Sequence, residues 1–442
     1  MARNKSIWGS LDKYLLVLFL MLLCLGLMTI YSSSYQIPNS NITEWSNVFR
    51  KQLTWVIISI SIGLLILNID GQFIKNISYI VYIIVLLLLI TVLFMEPIKG
   101  ARSWFQLGGF SIQPSELAKL SCTLVIAKYL SGTNVKIKDF KTRFRVLILL
   151  VIPAFLIVLQ PDPGTMLVFF AFIFVMYREG LSGNILLFGF FAVVIVVIAI
   201  FLKASETYTS IFGLMISGNY MFIGALILLG TFVYFIIKLF IMPRYRKPRY
   251  KALIWSLLMG ILINISINFV YDNIFKERHR TRFKIMFGII EDRKGGGNNM
   301  WQALSSIGSG SASGKGYLKG TLSNDQYKHV PEQSTDFIFC SFAEEWGFLG
   351  SLLFITLYLA LLIRMIIVSE RQRSKFTRIF GYCTASILFF HFMINIGMVL
   401  GLAPVIGIPL PFFSKGGSSI LTFSIFIFIL LRLDAERRDV LR

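Results

Sequence analysis

Long uninterrupted apolar runs leave this chain few ways to fold. The segment "LLVLFLMLLCLGLMTIY" is one of many, and about 20 consecutive apolar residues are enough to cross a bilayer as a helix. Twelve such blocks can be marked, at 14–35, 53–70, 75–95, 115–131, 145–160, 164–179, 184–203, 219–242, 251–271, 337–364, 377–400 and 418–432. With 56% of its 442 residues hydrophobic, the chain has apolar content for about a dozen spans. A soluble enzyme, a disordered chain and a fibrous protein are thereby excluded. The blocks do not alternate apolar with polar, which excludes an outer-membrane barrel. The expected fold is an all-α polytopic membrane protein: one integral membrane domain over 1–442, with a helical hairpin at 205–272 and a large extracytoplasmic loop at 272–336.

The net charge is +21. In a polytopic protein such a surplus collects in cytoplasmic loops, so nucleic acid is not an expected partner. The basic runs "PRYRKPRYK" and "RQRSKFTR" fall on one side if the spans alternate. Lys136 to Arg145 and Arg432 to Arg442 fall on that side too. The stretches 36–52, 97–113 and 401–417 carry few charges. The expected placement is a membrane crossed many times, with both termini cytoplasmic. The first block is too long for a cleavable signal and no Ala-x-Ala site follows it, so it is expected to stay as an anchor. Cys24, Cys122, Cys340 and Cys383 lie in or beside apolar blocks without metal-ligand spacing, and read as small buried hydrophobes.

Five segments could carry chemistry. Asp336, in "PEQSTDFIF", sits where the long loop meets a span. It could cap the helix or serve as a general base at the outer face. Glu344 and Glu345 lie about 12 Å into that span, a depth where ionisable groups face a cavity or an ion-pair partner. In "RSWFQLGGFSIQPSELAKL", Glu116 and Lys119 share a helix face; a local ion pair beside an interfacial Trp104 is the plain reading, and head-group donation by Arg102 and Lys119 the functional one. Asp162 stands in the break "QPDPGT", as a turn residue or on a cavity wall. The prolines and glycines of "GLAPVIGIPLPFFSKGGSSI" forbid a continuous helix and suggest a re-entrant loop. Gly310 and Gly314 lack phosphate-loop spacing, and HExxH, CxxC and GxSxG are absent, so nucleotide-driven, zinc-protease and serine-hydrolase readings fail.

Taken in order, "RSWFQLGGFSIQPSELAKL", "QPDPGT", "IGSGSASGKGYLKGT", "PEQSTDFIFCSFAEEWGFLG" and "NIGMVLGLAPVIGIPLPFFSKGGSS" resemble the SEDS family, the RodA and FtsW polymerases. "GKGYLKGT" is more similar to the RodA branch, which acts in cell elongation and shape. The resemblance implies a peptidoglycan glycosyltransferase that polymerises lipid II and releases undecaprenyl pyrophosphate, with Asp336 as general base. It implies a substrate-binding set drawn from Arg102, Trp104, Glu116, Lys119, Asp162, Arg280, Arg282, Lys315, Glu332 and Ser418. It also suggests a divalent cation (Mg or Mn), a class B penicillin-binding protein and other elongation-complex membrane proteins as partners. A lipid-linked precursor flippase or transporter is the alternative, and a non-catalytic scaffold a third. The chain departs from the family pattern at Ser334, where His is usual, at Lys415, where Tyr is usual, and in the extra hairpin.

Overall fold

A computed structural model describes residues 7–35, 46–97, 102–107, 110–211, 214–273, 275, 277–290, 298–321 and 334–437. The chain divides into two compact units, Ser182–Asn298 and the remainder.

The first unit opens with α1 (Ile7–Ser10), α2 (Lys13–Ser33), α3 (Asn47–Leu67), α4 (Gly71–Thr91), α5 (Pro114–Leu130), α6 (Phe140–Leu159), α7 (Pro163–Val168) and α8 (Phe172–Arg178). A small hairpin, β1 (Phe105–Leu107) against β2 (Phe110–Ile112), precedes α5. The second unit holds α9 (Gly183–Ala204), α10 (Gly218–Phe240), α11 (Pro243–Asn273) and α12 (Glu277–Met286), with hairpin β3 (Tyr208–Ile211) and β4 (Leu214–Ser217) between α9 and α10. Residues 205–272 lie inside it. The first unit resumes with α13 (Asn298–Ser309), α14 (Ile338–Glu370), α15 (Lys375–Val399) and α16 (Gly417–Ala435).

Helix starts follow local chemistry. Asp12, Ser46, Asp70 and Asp162 accept from backbone N–H groups two or three residues on, and each opens a helix. Pro114 and Pro163 occupy first turns, where no N–H is needed.

Among the described residues, ten helices are long and apolar enough to cross a membrane. Two of the twelve expected spans are not among them. Residues 164–179 become α7 and α8, separated by a 3-10 turn at Phe169–Ala171. Residues 115–131 become α5, 17 residues with only Leu117, Lys128 and Tyr129 not buried. Its Ser115, Glu116, Lys119, Ser121 and Thr123 lower its apolarity, and they are tolerated because protein rather than lipid surrounds them. The most enclosed spans are α16 and α15, 83% and 67% buried, against 28% for α3, α4 and α6. The core is therefore built around α16, α15 and α5, and the outer helices turn Leu, Ile and Phe outward as a lipid-facing surface does.

Candidate functional site

Five chain segments of the first unit converge at one end: the starts of α5, α7, α14 and α16, and the loop 400–416 after α15. Asp336 stands half-buried in the turn before α14, whose N-cap is Phe337. Its backbone carbonyl accepts from Asn395 Nδ2 at 2.9 Å. Its carboxylate lies against Gly407: a Cβ there would stand 3.2 Å from Asp336 Oδ2. Gly407 has φ +83°, a conformation that favours glycine. Loop and carboxylate thus pack closely, at a backbone conformation that favours glycine.

Asn395 reads both sides of that contact, because its Nδ2 also donates to the Ile408 carbonyl at 2.7 Å. One helical turn earlier on α15, His391 reaches the same loop. A lysine ammonium only donates, so Lys119 Nζ, 2.8 Å away, donates to His391 Nε2. His391 Nδ1–H then donates to the Pro409 carbonyl at 3.1 Å. Lys119 Nζ also pairs with Glu116 Oε1 at 2.8 Å and lies 5.1 Å from the centroid of the Phe423 ring. Lys119 is fully buried and Glu116 is 2% exposed. The local ion pair expected from their spacing is present, and it is one link in a longer chain running Glu116–Lys119–His391–Pro409.

Asp162 caps α7, accepting from Thr165 N–H at 3.1 Å and from the Thr165 hydroxyl at 2.8 Å. It also accepts from Gln113 Nε2 at 2.8 Å, which ties the start of α7 to the start of α5. The turn reading of Asp162 holds, and its neighbourhood is the site: a Cβ on Gly164 would stand 3.2 Å from the Ile406 carbonyl of the loop. Two of the three departures from the family pattern meet, since the Lys415 N–H donates to the Ser334 carbonyl at 2.9 Å. Gln52 braces the loop's end, accepting from Gly416 N–H at 3.2 Å and donating to the Ser414 carbonyl at 3.4 Å. Ser418 is buried in the first turn of α16.

The remaining expected residues are placed differently. Arg102 is exposed and donates to the Leu93 carbonyl at 3.4 Å, with Trp104 half-buried beyond it. Lys315 does not stand free for a pyrophosphate. Its ammonium meets Glu344 Oε1 at 2.5 Å, and Thr321 N–H donates to the same oxygen at 2.9 Å. Glu345 accepts from the Leu318 N–H at 3.2 Å and from the Ser32 hydroxyl. Burial pushes the nearby Tyr317 phenol up to about 12, so it stays a donor, here to the Met28 carbonyl at 3.2 Å. The two deep acids thus latch residues 310–321 onto α14. The latch closes at a break in α14, where Gly347 has φ +64° and a Cβ on it would meet the Gly314 nitrogen at 2.3 Å.

Arg280 and Arg282 belong to the second unit, on α12. Arg280 there donates to the Asp272 carbonyl at 2.6 Å and lies over the Tyr271 ring, and Arg282 is half-buried. Glu332 lies outside the described residues. Among the described residues no three His, Cys, Asp or Glu side chains gather to bind a divalent cation.

Sequence reasoning missed His391 and Asn395. A signal was available, because a histidine inside an apolar span marks a functional position by default, and Asn395 follows four residues on, on the same helix face.

The molecule is thus an all-α, multi-pass membrane protein with a carboxylate set at the end of its helices against a proline- and glycine-rich loop. Residues 13–215 and 215–439 match the cell cycle protein family of FtsW, RodA and SpoVE, and the chain belongs to that family. It is 30% identical over 437 residues to the peptidoglycan glycosyltransferase RodA of Treponema pallidum, covering 97% of this chain and 98% of that one. It is 28% identical to the peptidoglycan glycosyltransferase MrdB of Escherichia coli K12, over 98% and 97% of the two chains. A chain in a solved peptidoglycan synthase complex, described as coordinating polymerization and crosslinking, superposes with a TM-score of 0.67 at 25% identity, over 98% of this chain and 99% of that one.

Proposed function

We propose that this chain is a peptidoglycan glycosyltransferase that polymerises lipid II at the outer face of the bacterial cytoplasmic membrane, in the service of cell elongation and shape. The observation that carries the reading is the placement of Asp336, half-buried where the apolar loop 400–416 meets the ends of the spans. A lipid-linked saccharide can reach such a place sideways from the bilayer.

The 4-hydroxyl of one lipid II attacks the anomeric carbon of the growing chain. As the new C–O bond forms, the proton passes to the Asp336 carboxylate. The bond to the pyrophosphate oxygen breaks, and undecaprenyl pyrophosphate leaves with the electron pair. A sugar hydroxyl is a weak acid, so a positioned base lowers the barrier. Negative charge on the leaving group is stabilised by cations already in place. Arg102 is exposed for direct contact. Lys119, fully buried, acts from beneath the site through its field and through the loop that His391 ties to it.

The orientation follows the charge. On α14 the Asp336 end and the Arg371 end are about 50 Å of helix apart. The latter end carries Arg364, Arg371, Arg373 and Arg378 and faces the cytoplasm by the positive-inside rule, with both termini. A class B penicillin-binding protein packed along the spans supplies the cross-linking, for which this chain has no serine motif, and other elongation-complex membrane proteins join the assembly.

Reconstituted protein given labelled lipid II should produce glycan strands visible on a gel, and Asp336→Asn should abolish them at unchanged folded yield. Normal polymerisation by the variant would overturn the role of Asp336. Transfer of the lipid between leaflets with no glycan from the wild type would overturn the enzyme reading itself.

A further inference from the structure

At the end of the first unit away from Asp336, a cavity of about 440 Å³ opens between the α3–α4 turn, the α14–α15 turn and the end of α16. Its acids are already engaged. Asp70 accepts from Gln72 N–H at 3.1 Å. Glu436 accepts from Gly71 N–H at 2.7 Å and pairs with Arg432 at 2.7 Å. Two cations on the wall are not engaged: among the described residues, Lys75 and Arg373 make no side-chain hydrogen bond or ion pair.

The wall also holds an unpartnered hydroxyl on a largely buried residue. Thr377 is 4% exposed, lines the cavity, and has no hydrogen-bond partner for its side chain among the described residues. A threonine buried in a helix ordinarily donates to the carbonyl four residues back, as Thr384 does on the same helix, to Phe380 at 2.9 Å. Thr377 sits in the first turn of α15. The Ser374 side chain does not cap that helix and its first turn carries no acid. The first amides of a helix lack partners within it and favour an anion.

We infer that this cavity binds a phosphate group, held by Lys75, Arg373, the Thr377 hydroxyl and the first-turn amides of α15. Each of these can donate to an oxyanion. The volume equals about fifteen waters at their share of the liquid, so there is room for more than a bare ion. Two sources share the chemistry: the head group of an anionic phospholipid and free phosphate. The site does not depend on the polymerase reading, and in the orientation proposed above it opens at the cytoplasmic leaflet.

The test uses the full chain in nanodiscs of phosphatidylcholine alone or mixed with phosphatidylglycerol, with retained lipids identified by native mass spectrometry. Inorganic phosphate is titrated into the phosphatidylcholine sample as a second arm. Wild type should retain phosphatidylglycerol with about tenfold preference over phosphatidylcholine if the source is lipid, or gain a saturable phosphate adduct if it is the free ion. The double variant Lys75→Gln/Arg373→Gln should lose either signal. Thr377→Val, nearly isosteric, should weaken it while leaving the protein monodisperse. Equal retention of both lipids with no phosphate adduct, or retention in the double variant equal to wild type, would overturn the inference.

Discussion

Both ends of the first unit bury charged side chains, and they finish them differently. At the basic end, Asp12 accepts from Arg364 at 2.7 and 3.1 Å, from Arg371 at 2.7 Å and from the Leu15 N–H at 2.9 Å. Asp434 accepts from Arg371, from Gln372 at 2.6 Å and from Arg437 at 3.1 Å. Both carboxylates are saturated by cations from other turns, and α2, α14 and α16 are clamped together. At the opposite end, Glu116 Oε2, Asn395 Oδ1 and Ser115 Oγ are buried without a partner, and a half-buried carboxylate faces a loop. Unmet buried polar atoms carry a desolvation cost, and folds retain them where strain or chemistry explains them. The Asp12–Asp434 cluster is a fastening, and the cluster around Glu116 and Asn395 leaves buried polar atoms unmet beside the candidate site.

That contrast can be broken by exchanging one carboxylate at a time. Asp336→Asn should slow polymerisation about a thousandfold, some 4 kcal/mol of barrier, without lowering the melting temperature. Asp12→Asn should do the reverse. Glycan synthesis per folded molecule stays near wild type, while stability falls by about 2 kcal/mol because Arg364 loses its buried partner. Burial raises the Asp12 pKa, but hydrogen bonds from Arg364, the Leu15 N–H and Arg371 outweigh it and hold the carboxyl below its ordinary value. Its contribution is therefore full above the unfolded value of about 4 and is lost as pH falls through the lowered folded value. Melting curves from neutral pH to about pH 3 should show wild type and Asp12→Asn converging in acid. A constant gap would break the assignment.

His391→Leu should lower kcat about tenfold, or 1.4 kcal/mol, with little change in KM. His391→Gln, whose amide can both accept from Lys119 and donate to Pro409, should recover most of it. In a Lys119→Met background the His391→Leu change should cost nothing further; an additive loss would make His391 a packing residue only. The smallest effect belongs to the latch. Lys315→Met removes a partly exposed pair worth about 1 kcal/mol, since Thr321 still donates to Glu344. Limited proteolysis within 310–321 should quicken, and an unchanged cleavage rate would show that Lys315 does not hold the loop.

Much of the scaffold was readable in advance because bilayer thickness sets a span length that composition can meet or miss. The pair Glu116–Lys119 was readable too, being a contact within one helical turn. Blocks 115–131 and 164–179 match α5 and α7–α8 in length to within a residue; what counting apolar residues missed is that α5 is polar enough to need protein on nearly every side. Lys315 was expected in the substrate-binding set, whereas the fold brings Glu344 to it from 29 residues away. His391 reaches Lys119 across 272 residues, and nothing in periodicity tells which helix face meets which.

The amino-acid order alone determined that the chain lies in a membrane, where its helices begin, and which motifs crowd its uncharged loops, because these depend on hydrophobic length and contacts a few residues apart. Only the tertiary structure decided that Asn395 and Gly407 frame Asp336, that His391 joins Lys119 to the loop, and that Glu344 and Glu345 serve as latches. Partners for buried charges are chosen by packing between helices distant in sequence. The desolvation of an ionisable group is settled only when the last neighbouring helix is in place.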